Sequence, residues 1–400
     1  MPILPLRISS FTLCSAVGDG RDATLAALRE RRTGLRRNDF GATPLPTWIG
    51  RVAGLEQNVL PPEFVEWDCR NNRLAWRGLL ADGFRDAVLA ARERYGADRV
   101  AVVMGTSTSS IGASEEAYCR LEPDGRYPLD LRRPIIHTPH SLGDFVQHAL
   151  GLANVSVTVA TACSSSAKVF AQAERLIRTG VADAAVVGGV DTLCGSVLFG
   201  FNALELVSPD LCRPFDVERR GINLGEASGF ALLEQDAAAG PWLTGYGESS
   251  DAHHMSTPHP EGMGARTALA AALDRAGIAA ADIDYINLHG TASQKNDEVE
   301  ARVVADLFPP GTFASSTKGW TGHTLGAAGI VEAGITLLAL EHGLLPGTLN
   351  TRTLDPACGP QIRSENAAGR ATGAIQRALS FSFGFGGSNC VLAFARSDAR

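Results

Sequence analysis

Apolar residues along this chain follow two different periods. Short continuous runs rich in Val and Ile (Arg99 to Met104, Val155 to Val159, Ala184 to Val187, Ile283 to Leu288) read as strands. Between them, helical spacing recurs in Leu74 to Tyr95, Ala167 to Arg178, Ala265 to Ala276 and Glu298 to Leu307. Apolar strands separated by amphipathic helices predict an α/β architecture whose strands are largely parallel and buried.

A weak internal repeat sharpens that expectation. Val102-Val103-Met104-Gly105-Thr106-Ser107 resembles Ile286-Asn287-Leu288-His289-Gly290-Thr291. The run into Thr161-Ala162-Cys163 is echoed by Phe313 to Lys318, and Gly229 to Glu234 by Cys390 to Phe394. Two similar halves, 1–240 and 241–400, would bring corresponding loops to a shared pseudo-two-fold centre. Residues distant in sequence would then meet there.

One strand candidate runs straight into chemistry. Val159-Ala160-Thr161-Ala162-Cys163-Ser164-Ser165-Ser166-Ala167 predicts strand, sharp turn and buried helix, with Cys163 in the first helical turn. Unpaired N–H groups and the helix dipole at such a position are expected to lower a thiol pKa from about 8.5 and favour the nucleophilic thiolate.

Composition narrows the setting. With 400 residues, 45% of them hydrophobic, the chain can bury a large core. A net charge of −7 argues against nucleic acid as a partner. Eight cysteines lie at 14, 69, 119, 163, 194, 212, 358 and 390, none with CxxC spacing, so neither a zinc site nor a disulfide framework is indicated. A reducing cytoplasm is the expected location. Met1 to Arg7 lacks the character of a signal peptide, and no apolar stretch is expected to span a membrane.

Three further motifs complete a constellation. Asn287-Leu288-His289-Gly290-Thr291 ends a strand at a histidine and is followed by Asp297 and Glu300. Ser315-Ser316-Thr317-Lys318-Gly319-Trp320-Thr321-Gly322-His323 sets a lysine five residues before a second histidine, ahead of the small-residue run Gly326-Ala327-Ala328-Gly329. Ser382-Phe383-Gly384-Phe385-Gly386-Gly387-Ser388-Asn389 is a glycine-rich loop before a last strand, the wrong context for a phosphate loop.

With these motifs in this order, together with Arg213-Pro214-Phe215-Asp216 and Gly225-Glu226-Ala227-Ser228-Gly229, the chain resembles the elongating β-ketoacyl-acyl carrier protein synthases of the thiolase superfamily nearly end to end. The resemblance implies a thiolase-like five-layered αβαβα fold of two duplicated halves. It also implies decarboxylative Claisen condensation of an acyl thioester with malonyl-acyl carrier protein. In that reading Cys163 takes the acyl chain, His289 and His323 bind and decarboxylate the malonyl thioester, and Lys318 orders the histidines. Phe385 is the gate, and the N–H groups of Cys163 and Phe385 form the oxyanion hole. Asp297 and Glu300 support the site, with Glu300 ion-paired with Lys318 or near it.

The same resemblance implies an acyl carrier protein partner. It further implies a homodimer, or a heterodimer with a chain-length-factor-like subunit, and no metal or cofactor. Arg70 and Arg73 fall where related synthases dock the acidic carrier, with Arg132 and Arg133 as weaker candidates. Thr291-Ala292-Ser293-Gln294-Lys295-Asn296 departs from the family's usual Thr-x-Thr-Pro. Asp191-Thr192-Leu193-Cys194 resembles synthases of polyene or pigment pathways, which suggests aryl-polyene-type elongation beside fatty acid synthesis.

Three alternatives fit less well. A degradative thiolase-type acyltransferase would need a second cysteine in Cys-x-Gly context, which Cys390-Val391-Leu392 does not supply. A starter synthase would carry Cys-His-Asn. A non-catalytic chain-length partner would have lost the nucleophile.

Overall fold

The structure, a computed structural model, describes residues 2–368 and 375–398. Its main strands are β1 (Leu6–Ser15), β2 (Val100–Gly105), β3 (Ser156–Val159), β4 (Ala184–Asp191), β5 (Ala227–Glu234), β6 (Trp242–Ser250), β7 (Tyr285–Leu288), β8 (Phe313–Ser316), β9 (Arg377–Gly384) and β10 (Ser388–Ala395). They lie side by side as β8-β7-β9-β10-β6-β1-β5-β4-β2-β3.

That order is one pattern used twice. In the first half β2 is parallel to β3 and β4, while β5 is antiparallel to β4 and β1. In the second, β7 is parallel to β8 and β9, while β10 is antiparallel to β9 and β6. The halves join where Leu6 and Arg7 of β1 pair with Leu243 and Trp242 of β6. Each of the three sequence echoes falls on strands holding the same place in the two orders: β2 and β7, β3 and β8, β5 and β10.

The principal helices are α1 (Arg70–Leu80), α2 (Phe84–Tyr95), α3 (Ser165–Arg178), α4 (Gly195–Ala203), α5 (Met263–Ala276), α6 (Gln294–Leu307) and α7 (Ala328–His342). The helix expected over 74–95 is two, because Asp82 (φ 55°) and Gly83 (φ 69°) adopt a left-handed backbone that a helix cannot contain. Helices α3 and α7 form the middle layer, α3 against β2 and β4 and α7 against β9 and β5. With α1 and α2 outside one half, and α5 on β6 and β10 outside the other, the layers run αβαβα.

The two small-residue runs explain the close central packing. A Cβ added to Gly329 would come within 2.5 Å of the Ala167 backbone nitrogen, and the Ile330 N–H donates to Ser166 Oγ at 2.9 Å. Large side chains at these positions would force α3 and α7 apart. Contrary to the sequence expectation, the stretch Leu325–His342 has the length and apolarity of a membrane span, with mean hydropathy 1.3. It is 89% buried inside the protein and serves as the core of both halves.

The parallel strands fix where chemistry can occur. Just past the C-terminal ends of β3, β7, β8 and β9 stand Cys163, His289, Lys318 and Phe385 respectively. Loops at such strand ends are free of ladder hydrogen bonding while their bases are rigid, the usual ground for a site.

Candidate active site

The nucleophile candidate sits in a strained turn. Ala162 adopts φ 52°, a left-handed conformation costly for a residue with a Cβ. Hydroxyls hold it there: Ser165 Oγ donates to Ala162 O at 2.6 Å, and Ser164 Oγ to Thr161 O at 2.9 Å. From the other half, Gly384 packs so closely that an added Cβ would lie 2.9 Å from Thr161 O. Helix α3 begins at Ser165, so Cys163 precedes the first turn rather than occupying it.

Burial reverses the expected thiol acidity. Cys163 is 4% exposed, and desolvation pushes its thiol up to about 11. The Lys318 charge and the N–H groups of Phe385 and Cys163 pull the other way without overcoming it. The free protein therefore holds a thiol, with anion-stabilising donors already aimed at the sulfur.

Cys163, His289 and His323 converge, with ligating atoms within 4.8 Å of one another. The two imidazoles stand perpendicular with centroids 5.3 Å apart, and both are buried. The Leu325 N–H donates to His323 Nδ1 at 3.0 Å. Lys318 Nζ lies 3.3 Å from His289 Nδ1 and also donates to the His289 carbonyl. With Nδ1 accepting in each ring, Nε2 carries the proton. Desolvation first, then the Lys318 charge, holds both rings well below their usual pKa and neutral. Such a spacing could bracket a metal ion, but these tautomers offer N–H donors and suit an oxyanion better than a cation.

Two buried carboxylates shape the histidine loop. Glu300 accepts the N–H groups of His289 and Gly290, each at 2.7 Å. Asp297 accepts those of Phe215 at 2.8 Å and Ala292 at 3.2 Å. Burial raises both, Glu300 to about 8. Lys318, however, is ion-paired with Glu332 of α7, not with Glu300. Glu332 was missed in the sequence, although an acid set amid apolar residues well inside a helix, unlike Glu341 at the exposed end of the same helix, is a signal that a buried cation lies opposite.

The three converging residues line a cavity of about 460 Å³, along with Phe385, whose ring lies 5.5 Å from that of Phe201. Arg220 and Lys295 stand at its rim, with side chains 62% and 68% exposed. Arg70 and Arg73 are not brought there. They line a separate cavity, Arg70 forked onto the buried Glu226 at 2.9 and 2.6 Å, and Arg73 onto Asp68 at 2.6 Å. Arg133 lines that cavity too, and Arg132 bonds the Tyr127 carbonyl.

The "Beta-ketoacyl synthase, N-terminal domain" family matches residues 73–239, and the "Beta-ketoacyl synthase, C-terminal domain" matches 242–352. The chain belongs to the β-ketoacyl synthase family. It is 34% identical over 337 residues to the mitochondrial 3-oxoacyl-[acyl-carrier-protein] synthase of Arabidopsis thaliana, covering 78% of this chain and 72% of that one. Nodulation protein E of Rhizobium meliloti (strain 1021) is 33% identical, covering 86% and 88%. Among solved structures, a ketosynthase in complex with its chain length factor from Xenorhabdus doucetiae matches with a TM-score of 0.89 and 35% identity, over 98% of each chain. This β-ketoacyl synthase is thus an acyltransferase of the carbon–carbon bond-forming class, with the family's thiolase-like fold.

Proposed function

We propose that Cys163 receives the acyl chain from a carrier thioester and that His289 and His323 decarboxylate the malonyl partner. The observation that carries this reading is the convergence of one thiol and two Nε2–H donors on one buried cavity. In the first step the Cys163 sulfur bonds to the acyl carbon, and the carrier thiol leaves with the displaced proton. The N–H groups of Cys163 and Phe385 stabilise the tetrahedral oxyanion. In the second step malonyl thioester loses CO₂, and its enolate oxygen takes hydrogen bonds from the two imidazoles. One such donor is worth about 3–4 kcal/mol. The enolate carbon then attacks the acyl-enzyme, returning the cysteine and releasing a β-ketoacyl carrier.

Lys318 orients His289, and Glu300 and Asp297 hold its loop. The halves 1–240 and 241–400 act as a duplicated pair contributing thiol and histidines respectively. Arg220 and Lys295 receive the carrier at the rim, a role that their place on the cavity supports more directly than it does Arg70 and Arg73. β3 is an edge strand whose half-buried residues have a ladder partner on one side only among the described residues, which supports a second subunit there, either a copy or a chain-length-factor-like chain. A cytoplasmic location and elongation in fatty acid or aryl-polyene-type biosynthesis complete the reading.

Intact-protein mass spectrometry after incubation with acyl carriers tests it. Wild type should gain the acyl mass, Cys163→Ala should not, and malonyl carrier should discharge the adduct as a β-ketoacyl product. An adduct that survives in Cys163→Ala would overturn the assignment.

A further inference from the structure

Asp191, at the end of β4, is fully buried and has no ion-pair partner among the described residues. Hydrogen-bond donors surround it instead. Thr106 Oγ1 reaches Oδ1 at 2.5 Å, and Thr108 reaches the same oxygen through Oγ1 at 2.6 Å and N–H at 3.0 Å. Ser107 reaches Oδ2 through its N–H and its Oγ, each at 2.9 Å. All of these come from the loop after β2, in the first half. One more donor comes from the second half: the Gly326 N–H, at 2.6 Å from Oδ2.

That N–H, which also lies 3.1 Å from Ser107 Oγ, leads to a histidine of the site. Gly326 follows Leu325, a non-glycine residue in the left-handed conformation at φ 58°. In the same turn the Thr324 backbone (φ −87°, ψ 28°) points the Leu325 N–H back onto His323 Nδ1 at 3.0 Å, which keeps the ring proton on Nε2. Nothing but a glycine fits at 326, since an added Cβ would lie 2.6 Å from Asp191 Oδ2 and 2.5 Å from the Ser107 nitrogen. A strained turn persists only where its surroundings over-determine it. Here Asp191 does so, itself fixed by the loop after β2.

We infer that Asp191 is a positioning residue for His323: by anchoring the Leu325–Gly326 turn across the two halves, it sets the imidazole tautomer that decarboxylation requires. The inference rests on His323 acting on the malonyl group. It assigns Asp191 to one of the two half-reactions only, because the thiol turn at Cys163 is held by its own hydroxyls and by Gly384.

Asp191→Asn tests this. The amide can accept at one atom only, so the donor set loses an acceptor while the volume is unchanged. Malonyl-carrier decarboxylation should fall tenfold or more, while acylation of Cys163 by an acyl carrier stays within twofold. In ¹⁵N-histidine-labelled protein, the His323 Nδ1 signal should move from the unprotonated position toward an averaged one. Ser107→Ala, which removes the hydroxyl that bonds both Asp191 Oδ2 and the Gly326 N–H, should give the same pair of results in smaller degree, so a poorly folding Asp191→Asn does not end the test. Unchanged decarboxylation, an equal loss of both half-reactions, or an unmoved His323 signal would overturn the inference. His323→Ala is the control: if it retains decarboxylation, the reading of the site fails, while the nitrogen signal still judges Asp191 by itself.

Discussion

Glu332 meets Lys318 in the core with side chains 3% and 1% exposed, and this pair ties the middle helix α7 to the loop after β8 that bears His323 and from which Lys318 reaches His289. Taking one charge away leaves the other buried without compensation.

Glu332→Ala should therefore cost about 3–5 kcal/mol in chemical denaturation. The double variant Glu332→Leu/Lys318→Met should recover most of that stability while remaining inactive. If the single and double variants were equally unstable, the pair would matter for packing alone.

Reactivity of the resting thiol reports its burial. With Cys163 pushed up to about 11, the thiolate fraction rises about tenfold per pH unit at neutral pH. Carbamidomethylation of Cys163 in the free enzyme should climb at that rate from pH 7 to 9. A plateau near pH 7 would mean that the helix dipole prevails over desolvation.

Glu300→Gln should lower turnover while leaving Cys163 acylation and the fold intact, because the amide can accept from only one of the two N–H groups at His289 and Gly290. The same variant tests a pH limb. Glu300 titrates at about 8 when folded, above its unfolded value of about 4.3, so its stabilisation is complete below that lower value. It is lost as pH rises through 8, at up to about 1.4 kcal/mol per pH unit. Denaturation at pH 5 and pH 8 should show the wild type losing ground to Glu300→Gln at the higher pH.

Charge reversal separates the two basic regions. Arg220→Glu/Lys295→Glu should raise KM for carrier-bound substrate several-fold and leave KM for a small thioester mimic unchanged. Arg70→Glu should instead destabilise the protein, since Glu226 is fully buried and Arg70 forks onto it. A carrier-specific KM effect in Arg70→Glu alone would return docking to α1.

Much of this was legible in the chain. Strand positions and the echo between halves could be read because buried strands are apolar on both faces and short. Cys163, His289, Lys318 and His323 stood out because their types and order are chemically specific. What escaped notice depended on distances between segments. The partners of Arg70, Arg73 and Lys318 lie 156, 5 and 14 residues away, and nothing in local pattern says which of several acids will be met. The thiol pKa was misjudged for a related reason: helix position is local, whereas desolvation sums over the whole fold. The break at Asp82-Gly83 was hidden by helical periodicity that continues in phase across it.

The thiol and the histidines arrive from opposite halves, linked through the exposed stretch 235–240. Cutting the chain there would leave two pieces, each holding half a reaction. In the proposed reading one would hold the nucleophile without the Phe385 N–H and the Gly384 support that the other half supplies, and the other would have donors for an enolate with no electrophile in reach. Activity in a mixture of the pieces would therefore count reassembled molecules, which turns the condensation itself into a reporter of how firmly the repeated halves hold each other.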